Sequence, residues 1–316
     1  MTRVLVTGGA GTIGTAVVRR LLRDPSWEVR VCDHRPVPAW VREGCEVRSG
    51  DLRDQALARE AVRDCTHVIH LAAIVGGIAN FHKLPYTLTE VNNALSGAVV
   101  HAAIEAAVER YVYVSSSMVF ERVRDFPTTE EHLPDCPPPR SAYGFSKLAG
   151  EVYARAAHDQ HGLPYTICRP FNAYGPGERP DPDEPGIAHA VPDLISKVLS
   201  GQHPLQIFGS GEQTRTLTHV EDIAEGIVTA MASPAGENED FNISAAEERT
   251  VAEIAELIWE ACGREPERFA LEHLPSFQVD VQRRWPSVEK AERLLGWRAQ
   301  IDLRDGLAGT VAWLRE

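Results

Sequence analysis

Short runs rich in apolar and β-branched residues alternate with longer segments of helical periodicity along the first half of the chain. Runs of this length, each followed by a helical segment, are typical of a parallel sheet whose strands are joined by helices. Because such crossovers are right-handed, the pattern predicts an α/β fold, a doubly wound parallel sheet of the Rossmann type. The predicted strands are residues 3–7, 27–32, 45–48, 67–71, 111–114 and 164–168.

Three glycines follow the first predicted strand at the spacing of a dinucleotide-binding turn. Gly8, Gly11 and Gly14 lead into an apolar-periodic helix. In that context glycines let the backbone approach a pyrophosphate, whose charge then lies at the positive end of the helix. We expect Thr12 and Ile13, which lie within the turn, to contact the same group.

An acidic residue ends the second predicted strand. Asp33 lies 22 residues beyond Gly11, where a dinucleotide fold carries the carboxylate that binds the adenosine ribose hydroxyls. A carboxylate there repels a 2′-phosphate, so the sequence predicts NAD rather than NADP as the cofactor. Arg35 nearby weakens that preference without reversing it.

Small or polar residues follow the next three predicted strands. Because the carboxyl ends of parallel strands meet at the ligand-binding edge of the sheet, we expect these residues to line the cofactor and substrate site. They are Ala72, Ala73, Ser115, Ser116 and Ser117; Gly50, Asp51 and Leu52 follow the third strand, and Gly76 and Gly77 lie in a loop after the fourth.

Tyr143 and Lys147 stand four residues apart at the start of a long helical segment that runs to about residue 161. This spacing puts the phenol and the ammonium on one helix face. A fixed positive charge lowers the pKa of a nearby phenol, so such a pair is able to move a proton to or from a hydroxyl or ketone oxygen. Taken alone, the pair is more simply a tyrosine packed on a lysine stem at the surface.

The second half of the chain is predicted to form a smaller domain. A proline-rich break at residues 180–185 follows the last strand of the first half. We therefore expect an NAD-binding Rossmann domain over residues 1–170 and a smaller α/β domain that binds substrate over residues 171–316. Residues 207–232 are expected to return to the first domain. The other predicted helices are residues 92–108, 191–199, 250–262 and 287–295.

Composition narrows the class of protein. Among 316 residues, 43% are hydrophobic and 24% charged, and the net charge of −13 argues against a nucleic-acid partner. Six scattered cysteines indicate reduced thiols rather than disulfides or a zinc site. With no signal-peptide pattern and no apolar run of about 20 residues, we expect a cytoplasmic protein without a membrane partner and without a metal.

Taken together, these motifs resemble the extended short-chain dehydrogenase/reductase family, the NAD-dependent nucleotide-sugar epimerases and dehydratases. The resemblance covers nearly the whole chain. It rests on residues 7–14, 33, 50–52, 71–73, 115–116, 143–147, 169–176 and 294–297.

The resemblance implies roles for individual residues. Tyr143 becomes the catalytic acid–base group, Lys147 binds the nicotinamide ribose and biases Tyr143 toward phenolate, and Ser116 hydrogen-bonds the reacting sugar oxygen. The glycine turn holds the pyrophosphate of NAD, Asp33 its adenosine ribose, and residues 51–52 its adenine. Further implied cofactor contacts are Leu71, Ala72, Ala73, Asn92 and Phe171; implied substrate contacts are Gly76, Ser117, Asn172, His189, Arg215 and either Arg283 or Arg284.

Met118 distinguishes this chain from several relatives that the resemblance brings in. Dehydratases carry Asp-Glu after the catalytic Ser or Thr, decarboxylases carry a glutamate where Met118 stands, and GDP-sugar 3,5-epimerases carry a cysteine there. His189 and the pair Gly76-Gly77 do match the 3,5-epimerase pattern. A 4-epimerisation through a 4-keto sugar, with hydride returned to its other face, needs only Ser116, Tyr143, Lys147 and NAD.

Three hypotheses follow from the sequence. The first is an NAD-dependent nucleotide-sugar 4-epimerase, an isomerase. The second is a nucleotide-sugar 4-ketoreductase or an enzyme like the GDP-sugar 3,5-epimerases. The third is a regulatory protein that binds NAD without turnover. In each case the resemblance implies a homodimer, formed through helices near residues 94–108 and 147–160.

Overall fold

The computed structural model describes residues 2–75, 83–180, 188–277 and 281–316. The strands in these ranges are β1 (Thr2–Thr7), β2 (Trp27–Asp33), β3 (Glu46–Ser49), β4 (His67–His70), β5 (Arg110–Val114), β6 (Tyr165–Pro170), β7 (Ala173–Tyr174), β8 (Leu205–Phe208), β9 (Thr214–Arg215), β10 (Thr218–His219), β11 (Glu239–Ile243), β12 (Arg249–Thr250) and β13 (Leu271–Leu274). The α-helices are α1 (Thr12–Leu21), α2 (Ala39–Gly44), α3 (Gln55–Val62), α4 (Pro85–Glu105), α5 (Ala142–His161), α6 (Ala190–Leu199), α7 (Val220–Ala232), α8 (Val251–Ala261), α9 (Glu289–Leu295) and α10 (Leu303–Arg315).

Seven of these strands form one parallel sheet, in the order β11-β6-β5-β4-β1-β2-β3. Thr7 is in register with Cys32 on one side and with His70 on the other, so the carboxyl ends of the strands lie side by side. The central strands are buried on both faces, which explains their continuous apolar runs. The predicted Rossmann sheet is therefore confirmed.

Strand β11 was missed by the sequence analysis. It pairs with β6 at the edge of the sheet, and alternates polar residues such as Asp240 and Asn242 with the buried side chains of Phe241 and Ile243. This mixed pattern lacks the long apolar run of the other strands. Its polar residues are accommodated by tertiary hydrogen bonds, for example from Asn242 Nδ2 to the carbonyl oxygen of Thr128 (3.0 Å).

Helices cover both faces of the sheet. Helices α1, α7 and α9 contribute to the core on one face, and α3, α4 and α5 to the core on the other. The chain returns to the sheet at α7, which packs on α1, and then supplies β11. Strand β8, at the start of the segment predicted to return, instead pairs with β13 outside the central sheet. In the described residues the return to the sheet is made by α7, which begins at Val220.

Helices α6, α8 and α10 enclose a separate apolar core, which includes Ile195, Ile258 and Leu307. Strands β8 and β13 belong to this second unit. These helices and strands follow the proline-rich break, and Tyr174 of β7, which precedes it, also packs into their core. The division into domains at residue 170 stays a prediction.

Helices α4 and α5 lie side by side on one face of the sheet. Helix α4 begins earlier than predicted, because Pro85 occupies its first turn, and ends at Glu105, because Ala107 adopts a positive φ of 49°. The outward face of α5 exposes Phe145, Val152 and Tyr153. The homodimer through these helices stays a prediction. No helix within the described ranges is both long and apolar enough to cross a membrane.

Candidate functional site

A cavity of about 1610 Å³ opens at the carboxyl ends of the central strands and extends into the second unit. Most of the residues predicted for the site line it. They are Gly8, Gly11, Thr12, Ile13, Gly14, Asp33, Asp51, Leu52, Leu71, Ala72, Ala73, Ser116, Ser117, Tyr143, Lys147, Asn172, His189, Arg215 and Arg284. Gly76 and Gly77 lie outside the described residues.

The glycine turn forms one end of this cavity. Gly8 has a φ of +72°, and a Cβ there would lie 2.8 Å from the amide nitrogen of Ala72. A Cβ on Gly14 would lie 2.1 Å from the carbonyl oxygen of Gly8. Helix α1 has no side-chain cap at its start, so its first-turn amides face the cavity uncovered by protein side chains. This end fits the pyrophosphate of NAD.

Asp33 is held rigidly at the end of β2. Its carboxylate accepts hydrogen bonds from the amides of Ala10 (2.9 Å) and Arg35 (2.8 Å). The side chain is only 2% exposed yet lines the cavity. The Nε of Arg35 lies 3.7 Å from the same carboxylate, which neutralises part of its charge. A fixed carboxylate here suits ribose hydroxyls and disfavours a 2′-phosphate, which fits NAD.

Thr7 and His70 hold the next strand end in place, a contact that the sequence analysis missed. The Oγ1 of Thr7 accepts the amides of Leu71 (3.1 Å) and Ala72 (3.2 Å), and lies 2.8 Å from His70 Nδ1. Because Oγ1 already accepts two amides, we assign its hydroxyl as the donor to His70 Nδ1. The proton of the neutral His70 ring is then on Nε2. Burial lowers the pKa of His70 to about 3, so the ring is neutral.

Two residues predicted as cofactor contacts are buried beside the cavity rather than lining it. Asn92 bonds both the amide and the carbonyl of Ile74 (2.7 and 3.1 Å) and the hydroxyl of Ser146 (3.2 Å). It thus anchors the chain after β4 to α5. Phe171 is 1% exposed and stacks on Phe120. Tertiary packing turns both side chains toward protein partners, and their contact with the cofactor stays a prediction.

Tyr143 and Lys147 project from the first turns of α5 toward the end of β5. The helix starts here because the Oγ of Ser141 accepts the amide of Gly144 (3.1 Å), while Glu121 accepts the amide of Ser141 (3.0 Å). Lys147 Nζ donates to the carbonyl of Val114 (2.9 Å) and lies 5.9 Å from the ring of Tyr143. The predicted pair is therefore on one face, inside the cavity.

Burial dominates the acid–base properties of this pair. It raises the pKa of Tyr143 to about 12, against the opposing effects of a hydrogen bond with Ser116 and the positive charge of Arg284. Burial also lowers the pKa of Lys147 to about 8, although the charge of Glu151 opposes this. The lowered phenol pKa expected from the sequence is wrong for this structure, because desolvation of the phenolate outweighs the nearby positive charge.

A buried ion network lies behind residues 115–118, which line one side of the cavity. Glu151 Oε1 accepts the hydroxyl of Ser115 (2.6 Å) and Nε of Arg169 (2.8 Å), while Arg169 Nη2 bonds both Glu151 (2.7 Å) and Asp240 (2.6 Å). Burial by itself raises the pKa of Asp240, but the charges of Arg169 and Lys290 hold it well below its usual range. The network ties α5 to β5, β6 and β11.

Arg284 reaches Ser117 and Met118 from a distant part of the chain. Its Nη1 donates to Ser117 Oγ (2.9 Å) and its Nη2 lies 2.9 Å from the sulfur of Met118. Met118 itself packs with Leu88 and Tyr143. The neighbouring Arg283 turns away and pairs with Glu248. Of the two arginines left open by the sequence, Arg284 is the one that lines the cavity.

His189 and Glu178 form a hydrogen-bonded pair in the wall of the cavity. Glu178 accepts both the backbone amide of His189 (3.0 Å) and its Nδ1 (2.8 Å). Burial opposes the charge of the imidazole, but the pairing with Glu178 raises the pKa of His189 overall. Glu178 was missed because it lies 11 residues away across the proline-rich break.

Arg215 and Asn172 lie where the two units meet. Arg215 Nη1 donates to the carbonyls of Thr214 and Val281 (both 2.7 Å), which orients its guanidinium. Asn172 adopts a φ of 38° and donates to the carbonyl of Thr216 (3.1 Å). Both residues line the cavity and present polar groups to it.

These features define an NAD-binding Rossmann protein with a serine–tyrosine–lysine site opening into a second unit. The sequence profile of the NAD dependent epimerase/dehydratase family matches residues 4–244, and the chain belongs to that family. It is 31% identical to a putative UDP-glucose 4-epimerase of Methanocaldococcus jannaschii, over 99% of this chain and 98% of the relative.

Solved structures support the same assignment. A UDP-glucose 4-epimerase of Thermotoga maritima, with UDP-glucose, superposes with a TM-score of 0.88 at 28% identity, covering 99% of each chain. A double mutant of DesIV of Streptomyces venezuelae, a dTDP-glucose 4,6-dehydratase with NAD bound, gives a TM-score of 0.87 at 30% identity, covering 100% of this chain and 97% of the other.

Proposed function

We propose that this protein is an NAD-dependent nucleotide-sugar 4-epimerase that works through a transient 4-keto intermediate. The observation that carries the proposal is the composition of one wall of the cavity, here called the catalytic wall. It is formed by Ser116, Ser117, Met118, Tyr143 and Lys147. Ser116 and Tyr143 are hydrogen-bonded to each other in the cavity, and Lys147 lies beside them. The next positions, Ser117 and Met118, supply no carboxylate or thiol to deprotonate a neighbouring sugar carbon.

In this mechanism Ser116 hydrogen-bonds the 4-oxygen of the sugar, and Tyr143 removes its proton. Bound NAD supplies reversible hydride transfer at carbon 4. The 4-keto sugar then turns within the cavity, and Tyr143 returns the proton to the new 4-oxygen. We assign Lys147, which lies beside Tyr143, to the nicotinamide ribose.

The phosphates of the substrate need positive charge beyond the sugar. Arg215 and Asn172 are the polar groups that we assign to this task, since both line the cavity between the catalytic wall and the second unit. We assign Arg284 to the sugar-proximal side, because it contacts Ser117 and Met118. The guanidinium groups of Arg215 and Arg284 bind a diphosphate by charge-assisted hydrogen bonds.

The test is turnover of nucleotide sugars by the purified protein without added cofactor. We expect two sugars that differ at carbon 4 to interconvert, and Tyr143→Phe to lower kcat about 10²- to 10⁴-fold. Tyr153→Phe is the matched control, since Tyr153 lies on the outer face of the same helix. Unchanged turnover by Tyr143→Phe contradicts the catalytic assignment.

One observation favours a second candidate, epimerisation at carbon 3 or 5. The Glu178–His189 pair provides an acid–base group in the cavity wall. Running the reaction in deuterated water separates the two functions. A 4-epimerase returns hydride and leaves carbon 3 and carbon 5 unlabelled, whereas exchange at those carbons requires a group such as His189.

A further inference from the structure

The glycine turn lines one end of the cavity, and another end lies inside the second unit. It is lined there by α6, β8 and the segment after β13. If the proposed function holds, the sugar lies at Tyr143, the diphosphate follows at Arg215, and the nucleoside reaches this end. The side chains at this end would then contact the nucleobase and distinguish one base from another.

A largely buried ion pair, formed by Asp193 and Lys197, lies at this end. Lys197 Nζ donates to Asp193 Oδ2 (2.8 Å) and to the backbone carbonyl of Gln206 (3.2 Å). The side chains of Asp193 and Lys197 are only 13% and 12% exposed, although both line the cavity. An exposed pair one helical turn apart is common and weak, but this one lies in a cavity wall, where its charges act on a ligand.

An aromatic surface adjoins the pair. The Nζ of Lys197 lies 5.4 Å from the centroid of the Phe208 ring, and the Phe277 ring is 4.7 Å from Phe208 at an angle of 47°. A flat base stacks on such a ring without regard to its identity. Selectivity between bases is then left to the neighbouring charged side chains in the cavity wall, Asp193 and Lys197.

The polar edges of the bases differ in a way that this pair discriminates. Guanine presents two adjacent donors, the ring N1–H and the 2-amino group, beside the O6 acceptor. A carboxylate accepts both donors and an ammonium donates to O6. Uracil and thymine present one N–H between two carbonyls, so a carboxylate that accepts this N–H is brought against a carbonyl oxygen. Adenine and cytosine each present a single amino donor.

We propose that Asp193 and Lys197, with the ring of Phe208, form a guanine-selective subsite, which makes the substrate a GDP-sugar. This inference rests on the proposed function for the location of the nucleoside. It deepens that function by naming the class of substrate. Asp193 accepts N1–H and the 2-amino group, Lys197 donates to O6, and Phe208 supports the face of the base.

The test is calorimetric binding of GDP, UDP, dTDP, CDP and ADP to the NAD-loaded protein. We expect GDP to bind at least tenfold more tightly than the others. Asp193→Asn is expected to weaken GDP roughly 10- to 100-fold and UDP much less, because a good bidentate base contact contributes about that much discrimination. Asp159→Asn, an exposed acid on α5, is the matched control and leaves all five affinities unchanged.

The possible outcomes separate this inference from the proposed function. Equal or tighter binding of UDP, or equal weakening of GDP and UDP by Asp193→Asn, overturns the guanine subsite. Epimerisation of UDP-sugars but not GDP-sugars also overturns it and leaves the 4-epimerase standing. Selective GDP binding with no interconversion of GDP-hexoses supports the subsite and contradicts the 4-epimerase, since binding needs no turnover.

Discussion

Replacing Glu151 by Gln removes one charge from the buried network beneath the catalytic wall while keeping the shape of the side chain. Glu151 and Arg169 are 1% and 0% exposed. The carboxylate accepts one hydrogen bond from Ser115 and two from Arg169. The amide of Gln has a single acceptor oxygen and places an N–H₂ group against the guanidinium, so at least one of these bonds is lost.

The structure sets the size of the expected effect. Breaking a buried ion pair by removing one partner costs about 3–5 kcal/mol, because the remaining charge stays desolvated. Here Asp240 still contacts Arg169 at 2.6 Å and compensates part of its charge. We therefore expect Glu151→Gln to lower the free energy of unfolding by about 3 kcal/mol, the lower end of that range.

Urea denaturation followed by circular dichroism measures this change. With a denaturant dependence of about 3 kcal/mol per M, the midpoint falls by about 1 M. The matched control is Glu105→Gln, which removes the same charge from the exposed pair with Arg59 and is expected to leave the urea midpoint nearly unchanged. If the two variants are equally stable, the reasoning from burial is refuted.

Three further predictions test the site and its support. Gly150→Ala is expected to destabilise the protein by about 1–3 kcal/mol in the same urea assay, because the new Cβ would lie 2.0 Å from the hydroxyl of Tyr113. The control is Gly309→Ala, whose Cβ would meet nothing within 4 Å and which is expected to be neutral or stabilising. His70 is neutral when folded and titrates near pH 6.5 when unfolded, so stability is present above pH 6.5 and falls by up to about 1.4 kcal/mol per pH unit toward its folded pKa of about 3. His70→Leu is expected to remove that contribution from the pH dependence of unfolding, and an unchanged slope contradicts it. Asp33→Asn is expected to shift the ratio of NAD to NADP affinity at least about tenfold toward NADP, measured by fluorescence titration, since it removes the charge that repels a 2′-phosphate; an unchanged ratio argues that Asp33 does not face the ribose.

Local patterns were sufficient for much of the fold and for the centre of the site. Strand–turn–helix order determines a parallel sheet with its carboxyl ends together, and so brings Gly8, Asp33 and Ser116 to one edge. The four-residue spacing of Tyr143 and Lys147 determines their common face. These features depend on neighbours in sequence and on the handedness of the chain, which is why they were predictable.

Contacts between distant segments were not predictable in the same way. Arg284 meets Ser117 across 167 positions, and Glu151 and Asp240 meet at Arg169 from two other elements. Neither periodicity nor spacing contains information about such pairings, because they depend on how whole helices and strands pack. Strand β11 was missed for the same reason, since its edge position stabilises a sequence that lacks a continuous apolar run.

Tertiary structure also decided the direction and the charge of individual side chains. Asn92 and Phe171 have residue types suited to a cofactor site, but packing turns both into the protein interior. Tyr143 was expected to titrate lower than a free phenol, yet its burial raises the pKa. The sequence by itself determined which chemical groups are present and on which edge of the sheet they lie. Only the folded structure determined which of them face the cavity and how strongly the surrounding low-dielectric interior opposes their charge.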